Sequence, residues 1–272
     1  IGFISMDSNT TSSGNVAVGA YTLQAQTDGT GQNVAVGDST LYSNTSGSYN
    51  AAVGHRALNA NTTASHNTAV GNSALLSNTT GDNNTAVGAL ALDANTTRLN
   101  NTAIGYRALT NQSVADQNTV VGADAMYTNT EGEYNVAMGF MALYNNTTAN
   151  VNTAIGYQAL LSNTTGSNNT SVGANSLDAT TTGSNNTAVG NNALGANTTG
   201  LLNTAVGRLS LSSNTTGQQN AAVGEGALET SSTGDYNIAF GTKSLQDNTT
   251  ADNNTAVGYS ALKSNTTGTN NV

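Results

Sequence analysis

The side chains able to do chemistry are few, and their spacing decides what they could do. His55 and His66 are the only histidines, and no cysteine accompanies them. An imidazole that works as a base or metal ligand needs an oriented partner. These two sit at different phases of the chain's pattern and have no recurring carboxylate, so both read as surface groups. Asp82, Asp116, Glu133, Asp235 and Asp252 share one phase, and Asp116 with Glu133, like Asp235 with Asp252, are consecutive members of it. Brought about 5 Å apart by stacking, such pairs could form a weak Ca²⁺ site. The spacing is not that of a Ca²⁺-binding loop, and solvated acidic turns are the expectation. Tyr106, Tyr157 and Tyr259 share another phase, and Tyr49, Tyr134 and Tyr236 a third; exposed, they could stack on sugars or simply cover the surface. The Asn-Thr-Thr triplets at Asn61, Asn78, Asn95, Asn163, Asn197, Asn214 and Asn265 read either as N-glycosylation acceptors or as plain turn chemistry. No Ser, His and Asp grouping shares a motif, and no glycine pattern opens a helix around phosphate. We therefore assign no catalytic, cofactor-binding or metal-binding residue and expect no cofactor and no enzymatic activity.

Composition narrows the classes further. Charged residues make up 8% of the 272, with six Lys and Arg and a net charge of −9. Nucleic acid is excluded as a partner, since binding it requires clustered basic residues. No apolar run approaches the ~18 residues of a membrane span, and without cysteine there is no disulfide framework.

What must position these groups is a repeat. A glycine following a small aliphatic pair appears at Gly19, Gly37, Gly54, Gly71 and onward to Gly258, with Gly2 as an earlier member, sixteen in all. Every spacing is 17 except Gly19 to Gly37, which is 18, with the extra residue in the Asp28-Gly29-Thr30-Gly31 loop. Four residues before the glycine stands Asn15, Asn33, Asn50, Asn67, Asn84, Asn101, Asn118, Asn135, Asn152, Asn169, Asn186, Asn203, Asn220, Asn237 or Asn254. Ala usually stands two before it, Val, Ile, Met or Phe one before, and Leu or Met four after. The consensus is N-T-A-V-G-x-x-A-L-x-x-N-T-T-G-x-x.

Asn-Thr-Ala-Val-Gly is short, partly β-branched and alternating, which predicts a strand. Asn-Thr-Thr-Gly predicts a turn whose Asn and Gly tolerate positive φ, and Ala-Leu a second short extended piece. A helix has no room between such breakers. A unit this short cannot bury a core alone, so the units must stack. The expected fold is all-β: one continuous parallel β-solenoid over residues 1–272, about sixteen coils at ~4.8 Å, or a rod on the order of 75 Å. The Asn column becomes a structural ladder joined amide to amide, and Val and Leu columns form a dry aliphatic spine. Both faces of the strand lack charge, which predicts association with copies of the same chain; which face looks inward is left open. The chain starts and stops mid-repeat without a polar cap, so it reads as an uncapped excerpt of a longer array or filament.

Asn15-Val16-Ala17-Val18-Gly19 and Asn135-Val136-Ala137-Met138-Gly139 resemble the N-x-A-I/V-G core of YadA-like head repeats of trimeric autotransporter adhesins. The fuller Asn152-Thr153-Ala154-Ile155-Gly156-Tyr157-Gln158-Ala159-Leu160 is similar to repeats of phage tail fibres and bacterial surface proteins. The resemblance covers the whole chain, although the YadA-like coils are usually shorter than the repeat found here. It implies a left-handed β-roll, a homotrimer, and an extracellular, cell-surface or virion-fibre location.

The expectation for function is a structural or adhesive segment of an extracellular fibre whose partners are its own copies, with host-surface or carbohydrate ligands. Two alternatives stand beside it. One is a glycan-coated filament. The other is an ice-binding solenoid whose Thr rank is Thr68, Thr85, Thr102, Thr119, Thr153, Thr170, Thr187, Thr204 and Thr255.

Overall fold

A computed structural model describes residues 1–111 and 114–272, and among these the chain is a parallel β-solenoid without helix. It forms two compact units, Ile1–Tyr134 and Asn135–Val272. In the first, strands β1 (Val16–Val18), β2 (Val34–Val36), β3 (Ala51–Val53), β4 (Thr68–Val70), β5 (Thr85–Val87), β6 (Thr102–Ile104) and β7 (Thr119–Val121) follow at one per coil. In the second come β8 (Val136–Met138), β9 (Thr153–Ile155), β10 (Thr170–Val172), β11 (Thr187–Val189), β12 (Thr204–Val206), β13 (Ala221–Val223), β14 (Ile238–Phe240) and β15 (Thr255–Val257). Inside each unit the strands pair in chain order, parallel and in register: Thr68, Ala69 and Val70 lie opposite Thr85, Ala86 and Val87, and Thr187, Ala188 and Val189 opposite Thr204, Ala205 and Val206. The repeat at Gly2 carries no strand, because only Ile1 precedes its glycine.

The pleat resolves which strand face is interior. Ala69 is fully buried while Val70 is 38% exposed, and the same contrast recurs along the chain. The Val column is therefore not part of the aliphatic spine the sequence suggested. The spine is built from the alanine two before the glycine, the small residue three after it and the Leu four after it. From Leu23 to Leu245 this last column, with Met126 in it, is fully buried. The reason is spatial: a thin coil has room for Ala next to the strand backbone and for one Leu from the opposite side, not for Leu and Val together.

The Ala-Leu segment is not a second strand either. Arg56 and Leu58 adopt φ of 57° and 49°, and the equivalent pair recurs as Gln158 (54°) and Leu160 (52°). A non-glycine residue in this left-handed region costs roughly 1–2 kcal/mol, so something must offset it. The backbone bonds do so by alternating direction. Arg56 N–H donates back to Asp38 O at 2.9 Å, and Leu58 N–H donates forward to Ala74 O at 3.0 Å. Even outside the strands, these N–H groups find a carbonyl on a neighbouring coil.

The glycine closing each strand is required twice over. Gly190 has φ of +137°, and a Cβ on it would lie 2.6 Å from the carbonyl carbon and oxygen of Gly207 on the next coil. By contrast Asn61 and Asn78 in the Asn-Thr-Thr turns, and glycines such as Gly81 and Gly166 that end them, lack positive φ. The turn therefore needs no positive φ at its Asn or Gly, contrary to the expectation from sequence, and the Asn is there for its amide. The third left-handed position, five before the strand glycine, is where Asn83, Asn100, Asn168 and Asn185 stand at φ of 59–60°, and there Asn does serve a tolerance for αL.

Candidate functional surfaces

Two asparagine ladders run through the coils, one foreseen and one not. In the column that includes Asn50, Asn67, Asn169 and Asn186, Oδ1 accepts the backbone N–H of the next Asn. Asn67 N–H to Asn50 Oδ1 is 3.0 Å and Asn186 N–H to Asn169 Oδ1 is 3.0 Å. The amide-to-amide contact foreseen from the sequence is the longer one, 3.2 Å from Asn186 Nδ2 to Asn169 Oδ1. The shorter bond of Asn186 Nδ2 reaches Gly200 O at 2.9 Å. The ladder thus fastens one backbone to the next and holds the following turn.

The second ladder consists of the turn asparagines. Asn61, Asn78, Asn95, Asn163, Asn197 and Asn214 are fully buried. Asn78 Nδ2 donates to Asn61 Oδ1 (3.1 Å) and to Gly81 O (3.0 Å), and Asn214 Nδ2 to Asn197 Oδ1 (3.0 Å) and Gly217 O (3.1 Å). Asn265 does the same with Asn248 Oδ1 and Gly268 O. A glycan on any of the six buried nitrogens would replace a donor inside the coil by a bulky sugar, so the folded coils do not accommodate glycosylation at those six; Asn265 is partly exposed. In the coil lengthened by one residue, the longer Gln26 takes Asn's place. Its Oε1 accepts from Asn33 and Asn44, and its Nε2 reaches Asp28 O at 2.6 Å.

The acidic column has a backbone task. Asp82 Oδ1 accepts Ser65 N–H, Asp116 Oδ1 accepts Leu99 N–H, and Asp235 Oδ1 accepts Gln218 N–H, each at 2.7 Å, while Asp252 Oδ1 accepts Asp235 N–H at 2.8 Å. Ser167 and Ser184 Oγ fill the same role at 3.0 Å. That explains why Asp and Ser recur at this position, although Leu99, Asn150, Leu201 and Gln218 stand there too. Glu133, the fifth member, is half-buried.

Both histidines are exposed. His55 Nε2 is 3.7 Å from Asp38, its Nδ1 is 3.2 Å from Asn72 Nδ2, and His66 stacks on Tyr49 with centroids 5.0 Å apart. Arg107 lies over the Tyr106 and Tyr127 rings at 4.9 and 5.0 Å and pairs with Asp124 at 2.8 Å; that hydrogen bond to Asp124 holds its guanidinium more firmly protonated. Phe140 stacks on Tyr157 at 5.8 Å. Asp93 and Asp178, each half-buried, have their carboxyls pushed above the ordinary range by desolvation, partly countered by backbone hydrogen bonds.

One surface is continuous. The outward strand residues are Thr, Val, Ala or Ile three before the glycine and Val, Ile, Met or Phe just before it, without a single charge. In the second unit eight such strands at ~4.8 Å make a face about 34 Å long and roughly 10 Å wide. Apolar patches of a few hundred Å² are at the upper end for a monomer surface and are often functional. Isolated tyrosines flank it, Tyr157 and Tyr259 one residue after the glycine and Tyr236 five before it, 51%, 78% and 53% exposed. Among the described residues no group of three or more His, Cys, Asp or Glu could hold a metal ion, and no helix is long and apolar enough to cross a membrane. No known family model and no curated protein matches this chain.

Proposed function

We propose that this chain is a rigid, non-catalytic segment of an extracellular fibre, at a cell surface or on a virion, that assembles with copies of itself through the outward strand face. The observation that carries the reading is the uncharged Thr/Val face of the strands. Each rung presents nearly the same pair of side chains, so the face is complementary to itself at many registers. Burying it removes apolar area from water at about 25 cal/mol per Å². The flanking tyrosines are of the residue type enriched at protein interfaces, and outside the contact they offer sugar-stacking platforms for an adhesive role. A trimer is favoured by the resemblance to YadA-like repeats. Light scattering on the purified chain should give three times the 27.3 kDa chain mass. Ile155→Asp with Val189→Asp should reduce it to a single chain while the circular dichroism stays unchanged. A wild-type chain that remains monomeric at tens of micromolar would sink the proposal.

A second reading has an observation of its own. Thr153, Thr170, Thr187 and Thr204 stand in unbroken register beside Ile155, Val172, Val189 and Val206, a two-rank array of the sort an ice face needs. Met138 and Phe240 interrupt its evenness. Thermal hysteresis that persists in dilute monomer and disappears in Thr187→Lys favours ice binding; its absence dismisses it.

A further inference from the structure

The turn-asparagine ladder works only if each residue is answered by the next. Nδ2 supplies one proton to the carbonyl three residues on and one to the Oδ1 of the preceding coil, as Asn163 does to Gly166 O (2.9 Å) and Asn146 Oδ1 (3.2 Å). Each Oδ1 therefore depends on an Asn in the following coil. Twice in the second unit that residue is shorter: Thr180 follows Asn163, and Ser231 follows Asn214. At both places the deserted acceptor is visible. Asn163 Oδ1 and Asn214 Oδ1 are buried without a hydrogen-bond partner, and so is Ser231 Oγ. All four residues are fully buried. A buried acceptor left unmet costs about 1–3 kcal/mol, which a folded coil does not carry without compensation.

We propose that each of these two breaks is a binding site for one internal water molecule. The chemistry around Ser231 fits such a ligand. Asn214 Oδ1 accepts, and Ser231 Oγ both donates and accepts. A buried water needs 2–4 polar partners, and these two supply the minimum. Serine is shorter than asparagine by two heavy atoms, the portion of the carboxamide that would otherwise extend toward Asn214. At the other break Thr180 Oγ1 accepts from Asn197 Nδ2 at 3.4 Å, so its own proton is free to meet a water that also donates to Asn163 Oδ1. The water stands in for the missing carboxamide, passing a hydrogen bond across the break and keeping the coils at their ordinary spacing.

The test is a high-resolution crystal structure, with ordered solvent resolved, of the wild type and of two variants, Ser231→Asn and Thr180→Asn. The wild type should show one solvent peak at hydrogen-bonding distance from Asn214 Oδ1 and one equally close to Asn163 Oδ1. Ser231→Asn should lose the first and keep the second, its new Nδ2 standing at the lost peak, and Thr180→Asn should do the reverse. If one variant fails to fold, the other still tests the exchange, and the wild-type map tests both sites. Density showing a protein donor on either Oδ1, or no peak within hydrogen-bonding reach of it, overturns the proposal, as does a peak that survives the substitution meant to displace it.

Discussion

Replacing Asn186 by alanine isolates what one ladder residue contributes. Asn186 Oδ1 accepts Asn203 N–H at 3.0 Å and Asn203 Nδ2 at 3.3 Å, and its Nδ2 donates to Asn169 Oδ1 and Gly200 O. After truncation most partners still have someone to bond. Asn169 Oδ1 keeps the backbone N–H of residue 186, Gly200 O keeps Asn197 Nδ2, and Asn203 Nδ2 keeps Gly217 O. The exception is the backbone N–H of Asn203, which is buried and loses its acceptor. That orphan costs about 1–3 kcal/mol, and the void left by the carboxamide adds roughly 1 kcal/mol at ~24 cal/mol per Å³. The expected loss is therefore about 2–4 kcal/mol. Since each coil leans only on its neighbours, the loss should be local, and amide hydrogen exchange reads it where it falls. The Asn203 amide should exchange about 30- to 1000-fold faster, at tenfold per ~1.4 kcal/mol. Asn191→Ala is the control, because its exposed amide makes only a 3.2 Å bond to Ala174 O. If the two variants exchange and melt alike, the ladder is not what fastens the coils.

Further expectations follow from the same geometry. Gly190→Ala should prevent stable packing of the coils that carry Gly190 and Gly207, since both φ and the 2.6 Å approach to Gly207 forbid a Cβ; a variant melting within about 2 °C of wild type would contradict this. Leu177→Ala should cost about 2–5 kcal/mol in urea denaturation, whereas Val189→Ala, on the outward face, should cost far less in the single chain. Asp235→Ser should keep the cap on Gln218 N–H and leave stability nearly unchanged, while Asp235→Ala should lose about 1 kcal/mol. Asp93 and Asp178 have folded-state carboxyls that protonate more readily than in the unfolded chain. The folded state then binds more protons just above the ordinary carboxylate range, so these two groups make stability fall as pH rises through that window. Asp93→Asn with Asp178→Asn should flatten this slope and raise the melting temperature at neutral pH; an unchanged slope would show that desolvation does not govern them.

The amino-acid sequence determined the periodic facts. Gly, Asn, Ala and Leu recur on a fixed ruler, and identical residues on identical coils can only form columns. The solenoid, the absence of helix among the described residues and the ladder that begins at Asn15 were all legible for that reason. The acceptor role of Asp and Ser at the position of Asp82 was not legible, because Leu99, Asn150, Leu201 and Gln218 stand at the same position and blur the pattern. What the period does not encode is direction. Alternation says that Ala and Val point to opposite sides, and only the cross-section of the coil decides that Ala goes inside and Val outside. The turn Asn looked like a residue chosen for positive φ or as a glycan acceptor. Its amide is instead buried, because the chain folds back so that the neighbouring coil places an Oδ1 and the turn a carbonyl within reach. Likewise nothing local marks Leu58 or Leu160 for a left-handed backbone. That conformation is imposed by the hydrogen bonds of two neighbouring coils, a tertiary demand that outweighs a local preference of roughly 1–2 kcal/mol.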